Sequence, residues 1–427
     1  MKKILITVYY YDFARYFDVI AQQLKSRINC DISFVCYYPS SYYYLKKYSN
    51  WDTDALYEKA QGKSKTTVDK SFHYEYTLKC RSELSGLKKK ISNEANCINE
   101  YWESKLTGYD LIISSGDSRP QTTIMLELAK EKNISVLYFE QGPFRTTILD
   151  ESGVNSNITF RPDFSQETNL NMLEILNKKP LKNKFFSKIT KQDKLNCYKD
   201  LLFSITPNLL MSYYPIYTQT GDSLFGRVKK KLLSKKSNNK SYKLPSNYSL
   251  LALQVPSDAQ MILNSKLYKD IFDLVFDVIK SMPKNLDLVI REHPLYIGRY
   301  DSRIYELINQ SKNVTIDNAT DLNKQIDNAK SIIVNNSTTG MDSLIRGKSV
   351  VVLGDAYYKW GEICFPVYSK YELKEQIKKA SEEKINYKYV NLFLEQFYNN
   401  YLLPGHFQDE SIESDAVVSK IIKHIES

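Results

Sequence analysis

Ser331-Ile332-Ile333-Val334-Asn335-Asn336-Ser337-Thr338-Thr339-Gly340 reads as a short apolar strand, a hydroxyl-rich turn and the opening of a helix. Met341 to Arg346 carries the helix on, Gly347 breaks it, and Ser349 to Leu353 is the next apolar run. Strand, helix and strand in so few residues specify a parallel sheet with a helical crossover. The pattern extends upstream. Leu250–Val255, Leu286–Arg291 and Asn313–Ile316 read as strands, while Tyr268–Met282 and Asp321–Asn328 read as helices. The first half repeats it, with strands at Ile4–Val8, Asp31–Cys36, Tyr109–Ser115 and Ile134–Phe139 and helices at Phe13–Ser26 and Arg119–Lys132. The expected fold is α/β, with two Rossmann-like domains facing a cleft.

Two stretches lack this rhythm. Residues 41–105 are polar and irregularly periodic, which predicts helices with long loops. Residues 141–245 predict a helical insertion and interdomain crossover, with Lys229–Lys243 as a linker ending at Pro245. The expected division is a domain over 1–245 with the insertion and basic linker, a nucleotide-binding domain over 246–370, and a helical segment over 371–427.

The chain has 427 residues, 42% of them hydrophobic, so a core forms without disulfide or metal staples. Lys plus Arg is 59 against 49 for Asp plus Glu, a net charge of +10. The excess sits in two places. Lys178–Lys194 has seven Lys and one Asp, and Arg227–Lys243 has eight basic residues and no acid. These segments suit an anionic membrane surface or a solvated linker. No helix-turn-helix or RNP-like signal accompanies them, so nucleic acid is not an expected partner. The six cysteines are scattered without CxxC or Cys/His spacing, which disfavours a thiolate zinc site and suits a reducing compartment. The apolar run at Ile4–Val8 ends at Tyr9-Tyr10-Tyr11-Asp12, too short and polar for a signal peptide, and no window is apolar enough to span a bilayer. The expected location is cytoplasmic, with peripheral contact to the inner face of a membrane. The 34 tyrosines suit either aromatic stacking or compositional bias.

Chemistry in open α/β sheets collects beyond the carboxyl ends of strands. Four such ends are polar here: Gly116-Asp117-Ser118-Arg119-Pro120, Glu140 to Arg145, Arg291-Glu292-His293-Pro294, and Asn335 to Gly340. In the last, free N–H groups and the hydroxyls of Ser337, Thr338 and Thr339 suit a phosphate; helix capping would favour the same residues. Gly340 permits close packing or close ligand approach. His293 can donate to a phosphate or serve structure. Glu140 and Asp258 are cleft carboxylates or, for Asp258, a helix cap. No GxGxxG or GxxxxGK[ST] occurs, and neither acid sits in a DxD, so no metal-bridged nucleotide is indicated.

These phrases, with Thr147-Ile148-Leu149, Gly153-Val154-Asn155, Leu253 to Gln260 with Ser265, Gly347-Lys348 and Val352 to Tyr358, resemble the capsular polysaccharide biosynthesis and export family. The likeness is to its KpsS-like members and the related KpsC-type retaining β-Kdo transferases, over roughly residues 110–160 and 250–360. The resemblance implies a GT-B-like glycosyltransferase that uses CMP-β-Kdo to build a lipid-linked Kdo linker. Asp258 and Glu140 would be its catalytic carboxylates. His293, Asn336, Ser337, Thr338, Thr339 and Gly340 would hold the nucleotide phosphate. Asp117, Arg119, Arg145, Gln254 and Arg291 would hold the sugar acid or acceptor. It implies no cofactor and no metal, since departing CMP carries a single phosphoryl group. The implied partners are a CMP-activated sugar acid, a glycolipid or lysophosphatidylglycerol-type acceptor, an anionic membrane surface, and capsule assembly or export proteins. The alternative is a non-catalytic polysaccharide-binding or export-assembly protein on the same scaffold.

Overall fold

The computed structural model describes residues 1–66, 68–178, 189–205, 215–218 and 244–427. The expected linker Lys229–Lys243, the basic run Arg227–Lys243 and residues 179–188 of the other basic run lie outside the described residues. The described residues form strands β1 (Lys2–Val8), β2 (Cys30–Cys36), β3 (Asp52–Ala55), β4 (Leu111–Ser115), β5 (Ser135–Gly142), β6 (Thr146–Asp150), β7 (Tyr248–Ala252), β8 (Asp287–Arg291), β9 (Val314–Ile316), β10 (Ser331–Val334), β11 (Ser349–Val352), β12 (Phe365–Pro366) and β13 (Leu403–Pro404). They build two sheets, and the fold class is α/β with two Rossmann-like, parallel-rich layers.

The first sheet has the order β13-β6-β5-β4-β1-β2-β3. It is parallel from β5 through β3, and its β6 and β13 edge is antiparallel. Side chains of β1 alternate between two apolar layers. Ile4, Ile6 and Val8 pack with Phe17, Ile20 and Leu24 of the helix Tyr11–Arg27. Leu5 joins the opposite layer with Trp102, Ile112, Met125 and Leu128. Burial on both faces is why these strands are continuous apolar runs. The second sheet, β12-β11-β10-β7-β8-β9, is parallel throughout. Leu251, Ile290, Ile333 and Val351 pack on Val275 and Val278 of the helix Ile271–Ser281.

In each sheet the chain order reverses once: β1 has β2 on one side and β4 on the other, and β7 has β8 and β10. Parallel neighbours there leave their connections in opposite directions, which opens a crevice at the carboxyl edge.

The domain boundaries differ from the sequence expectation. One compact unit comprises Met1–Thr159, Tyr401–Ser427 and the described part of Leu181–Phe225; the other comprises the described parts of Phe160–Pro180 and Gly226–Asn400. The stretch 371–427 is therefore no separate segment. Leu403 and Pro404 pair with Thr147 and Thr146, and Val417, Val418 and Ile421 of the helix Asp415–Glu426 enter the apolar layer of Ile4 and Phe17. The start of the expected insertion is likewise a strand, β6, folded back on β5. No described helix is long and apolar enough to cross a membrane.

Candidate functional site

The crevice of the first sheet is a cavity of about 440 Å³. Its floor is the ends of β1, β4 and β5. Thr7 and Ser115 lock the first two together, Ser115 N–H donating to Thr7 Oγ1 at 3.1 Å and Ser115 Oγ to the Thr7 carbonyl at 2.6 Å. Gly116 turns the chain out of β4 with φ +82°, a conformation that L side chains resist. Asp117 and Arg119 follow, and the helix Pro120–Glu131 begins.

Arg119 is the cation of this cavity. Its guanidinium lies 5.0 Å over the Tyr9 ring, and Nη1 donates to the Tyr38 hydroxyl at 3.3 Å. Tyr10 and Tyr76 are close by, and no carboxylate among the described residues forms an ion pair with it. A partly buried guanidinium with hydroxyl and ring neighbours retains donors for an anion.

The acids of the cavity mostly hold its wall. Glu140 Oε2 accepts the Asn155 N–H at 2.7 Å. Asp117 Oδ2 accepts from Val154 N–H at 3.4 Å and Asn157 Nδ2 at 3.5 Å. Burial pushes the Asp117 carboxyl up, against those hydrogen bonds. Asp150 gathers the same loop from behind, accepting from the backbone of Ser152 and Thr159 and the hydroxyls of Thr159 and Tyr401. Val154 and Asn155 line the cavity as a result.

Arg145 is not in this cavity. It sits in a left-handed pair, Phe144 at φ 59° and Arg145 at φ 57°, a conformation costing about 1–2 kcal/mol per residue. Its Nε donates to Asp409 Oδ1 at 3.1 Å and its Nη2 to the same oxygen, in a pair only about a tenth exposed on each side. The ion pair holds the turn after β5 against the segment that carries Phe407 and Gln408 to the cavity. The structure thus gives Arg145 a structural role where a ligand contact was expected.

In the second crevice a side-chain network links the strand ends. Gln254, after β7, and Asn336, after β10, bond twice: Gln254 Nε2 donates to Asn336 Oδ1 at 3.0 Å, and Asn336 N–H to Gln254 Oε1 at 3.2 Å. Asn336 Nδ2 reaches the carbonyls of Gln260 and Asn264, each at 3.0 Å. The Tyr300 hydroxyl donates to the Gln254 carbonyl at 3.0 Å and accepts the His293 N–H at 3.2 Å. The structure therefore brings Gln254, His293 and Asn336 into one network, with the side chains of Gln254 and Asn336 already engaged.

Around this network the other expected residues take definite positions. Ser337 caps the helix Thr338–Ile345, its Oγ accepting the Thr339 N–H at 3.2 Å; Thr338 is exposed. Gly340 serves packing: a Cβ there would sit 2.8 Å from Cε2 and Cζ of Tyr358, whose hydroxyl donates to the Ser337 carbonyl. Asp258 is the cap of the short helix Ala259–Leu263, Oδ1 accepting the Gln260 N–H at 3.0 Å. Arg291 Nη1 donates to the Thr320 carbonyl at 2.6 Å and Gln325 Oε1 at 2.8 Å, clipping β8 to the following turn. Burial pushes this guanidinium down, against the pull of Asp317 and Asp321.

His293 is the exception. Its Nδ1 accepts the Leu295 N–H at 3.2 Å. In the neutral ring the proton must then sit on Nε2, which has no hydrogen-bond partner among the described residues and is a ready donor.

A protein-family model for capsule polysaccharide biosynthesis proteins matches residues 110–402, from the edge of β4 to β13. The chain belongs to the capsule polysaccharide biosynthesis protein family. Capsule polysaccharide export protein KpsS of Escherichia coli is 27% identical over 271 residues, 58% of this chain and 68% of KpsS. Protein FixF of Sinorhizobium fredii is 31% identical over 118 residues; that match spans 27% of this chain and 28% of FixF. Among solved structures, the Thermosulfurimonas dismutans KpsC β-Kdo 2,7 transferase aligns with a TM-score of 0.34 and 16% identity, over 71% of this chain and 89% of that one. The family match takes in Asp117, Arg119, Glu140 and the whole second network. It excludes Tyr9, Tyr10, Asp12, Phe13, Phe407 and Gln408, which also line the first cavity. Sequence reading passed over these six. The available signal was position: Tyr9 to Phe13 follow the strand at which the sheet order reverses.

Proposed function

We propose that this capsule-family protein is a glycosyltransferase, a retaining β-Kdo transferase that takes its sugar from CMP-β-Kdo and builds a lipid-linked Kdo linker. The observation that carries the reading is Arg119, a cation without a carboxylate partner among the described residues, set in an aromatic-walled cavity at the carboxyl edge of a parallel sheet. An anionic sugar or acceptor supplies the missing counter-ion, and the Tyr9 and Tyr10 rings suit a sugar face.

In this reading the second unit holds the CMP group. His293 Nε2–H donates to the leaving phosphate, and exposed donors around Thr338 assist. The bond from the anomeric carbon to the CMP oxygen breaks, and CMP leaves with the electron pair. The acceptor hydroxyl oxygen bonds to that carbon, and its proton passes to a carboxylate. Asp258 and Glu140 are the candidates. Asp258 is held through Oδ1 and keeps Oδ2 without a partner among the described residues, so its position is fixed while one oxygen stays accessible. The transfer needs no metal. The acceptor is a lysophosphatidylglycerol-type lipid presented at an anionic membrane surface on the cytoplasmic side, with capsule export proteins taking the product.

The test is turnover of CMP-β-Kdo with lysophosphatidylglycerol in chelator-containing buffer, following released CMP and Kdo-lipid by mass spectrometry. Equal release of CMP and formation of product supports the reading. No CMP release from any acidic sugar donor overturns it and favours a polysaccharide-binding or export-assembly role.

A further inference from the structure

The helix Lys191–Ile205 is built inside out. A surface helix ordinarily turns its apolar stripe inward. Here the residues facing the protein, at positions i, i+3 and i+7, are Asp193, Asn196 and Asp200, only 1%, 4% and 8% exposed. Hydrogen bonds hold the two aspartates, while Asn196 Oδ1 is buried without a partner among the described residues. The Tyr48 hydroxyl donates to Asp193 Oδ2 at 2.9 Å, the Thr190 hydroxyl to the same oxygen at 2.6 Å, and the Ser40 N–H to Asp200 Oδ1 at 2.9 Å. Burial pushes the Asp200 carboxyl up to about 7, against the bonds from Ser40, so this inward face is a costly one to bury.

The outward face has the same spacing and the opposite chemistry. Leu195 and Tyr198 are 52% and 64% exposed, and Leu202, one turn on, is 53% exposed. At about 100° per residue these three fall in one row. Lys191 and Lys194 are exposed alongside, and Lys199 lies at the edge, 4.4 Å over the Tyr43 ring. The only acids from Lys191 to Leu202 are the two turned inward, so the outward face is apolar and purely basic.

We propose that this outward face is a membrane-docking surface, lying in the headgroup layer of an anionic bilayer with Leu195 and Tyr198 inserted and the lysines on the lipid phosphates. An apolar row flanked by lysines is the pattern that binds such a layer, and charge complementarity selects anionic lipid over a neutral surface. The docking names the element behind the membrane contact proposed above, and it does not depend on glycosyl transfer.

Vesicle flotation of the full chain, without sugar donor, tests it. Phosphatidylcholine vesicles containing phosphatidylglycerol should carry the wild type. The double variant Leu195→Glu/Tyr198→Glu should bind roughly tenfold more weakly, and Lys191→Gln/Lys194→Gln should lose most of the salt sensitivity. Both variants change exposed side chains, so their melting midpoints should match the wild type. Wild-type binding by Leu195→Glu/Tyr198→Glu overturns the proposal. So does equal binding to phosphatidylcholine alone, or a wild-type dimer in sedimentation that this variant dissolves, which would assign the face to a second copy. A protein that floats yet transfers no sugar retains this inference and loses the transferase reading; one that transfers sugar without floating does the reverse.

Discussion

Between β1 and β4 the chain leaves about 440 Å³ open around a cation, whereas between β7 and β10 the side chains of Gln254 and Asn336 are bonded to each other. Both sites arise from the same reversal of strand order. In the first, acids and hydroxyls are spent on the walls and Arg119 keeps donors for a ligand. In the second, the amides are spent on the floor, and the site offers what projects above it, chiefly His293 Nε2. The difference separates residues that hold a site from residues that use it, and substitutions in the two places should therefore fail differently.

The largest effect is expected in the second crevice. Asn336→Ala leaves the buried Gln254 Nε2 without its acceptor and removes the side-chain bonds to the Gln260 and Asn264 carbonyls, each of which keeps one backbone donor. Chemical denaturation should show a loss of about 3–5 kcal/mol in the transition reporting the second unit. A loss below about 1 kcal/mol would mean that the network is dispensable and that Asn336 is better read as a ligand contact. Arg119→Ala should behave in the opposite way. It should lower kcat/KM for transfer about 100-fold, close to 3 kcal/mol, while its melting midpoint stays near wild type. Arg119→Lys should restore part of the activity. If Arg119→Ala instead unfolds the protein, the contrast between the two crevices collapses.

Gly340→Ala comes next. The new methyl meets the Tyr358 ring, and a stability loss of about 1–3 kcal/mol is expected in denaturation, partly relieved by Tyr358→Leu. Loss of activity at unchanged stability would restore the alternative, that the glycine admits a phosphate.

The smallest effect concerns pH. Burial pushes the carboxyls of Asp12 and Asp117 up in the first cavity. Each is neutral below its raised pKa and negative above it. Anion binding beside Arg119 should therefore weaken as pH rises through that range, above the ordinary carboxylate value. Asp117→Asn should flatten the dependence by several-fold in Kd. An unchanged profile would show that the wall acids are screened from the ligand.

Much of this was legible in the residues, because parallel strands buried on both faces are continuous apolar runs. Ile4–Val8, Leu111–Ser115 and Ile332–Val334 needed no partner to be recognised. The antiparallel edge was not legible. Thr146–Asp150 becomes a strand by folding back on β5 and pairing with Leu403 and Pro404, more than 250 residues away in sequence. That pairing also moves the C-terminal residues into the first unit. The site divides along the same line. Asp117, Arg119 and His293 stand out at strand ends. What occupies an arginine or an asparagine is a matter of distant partners: Asp409 for Arg145, Thr320 and Gln325 for Arg291, Gln254 for Asn336.

The most direct test of the division of labour is a crystal structure of the protein with CMP bound. The account predicts the phosphate within hydrogen-bonding distance of His293 Nε2, above an unaltered Gln254–Asn336 pair, with the Arg119 cavity left for the sugar acid or acceptor. A CMP phosphate bound to Arg119, or one that enters only by displacing Asn336 from Gln254, would contradict it.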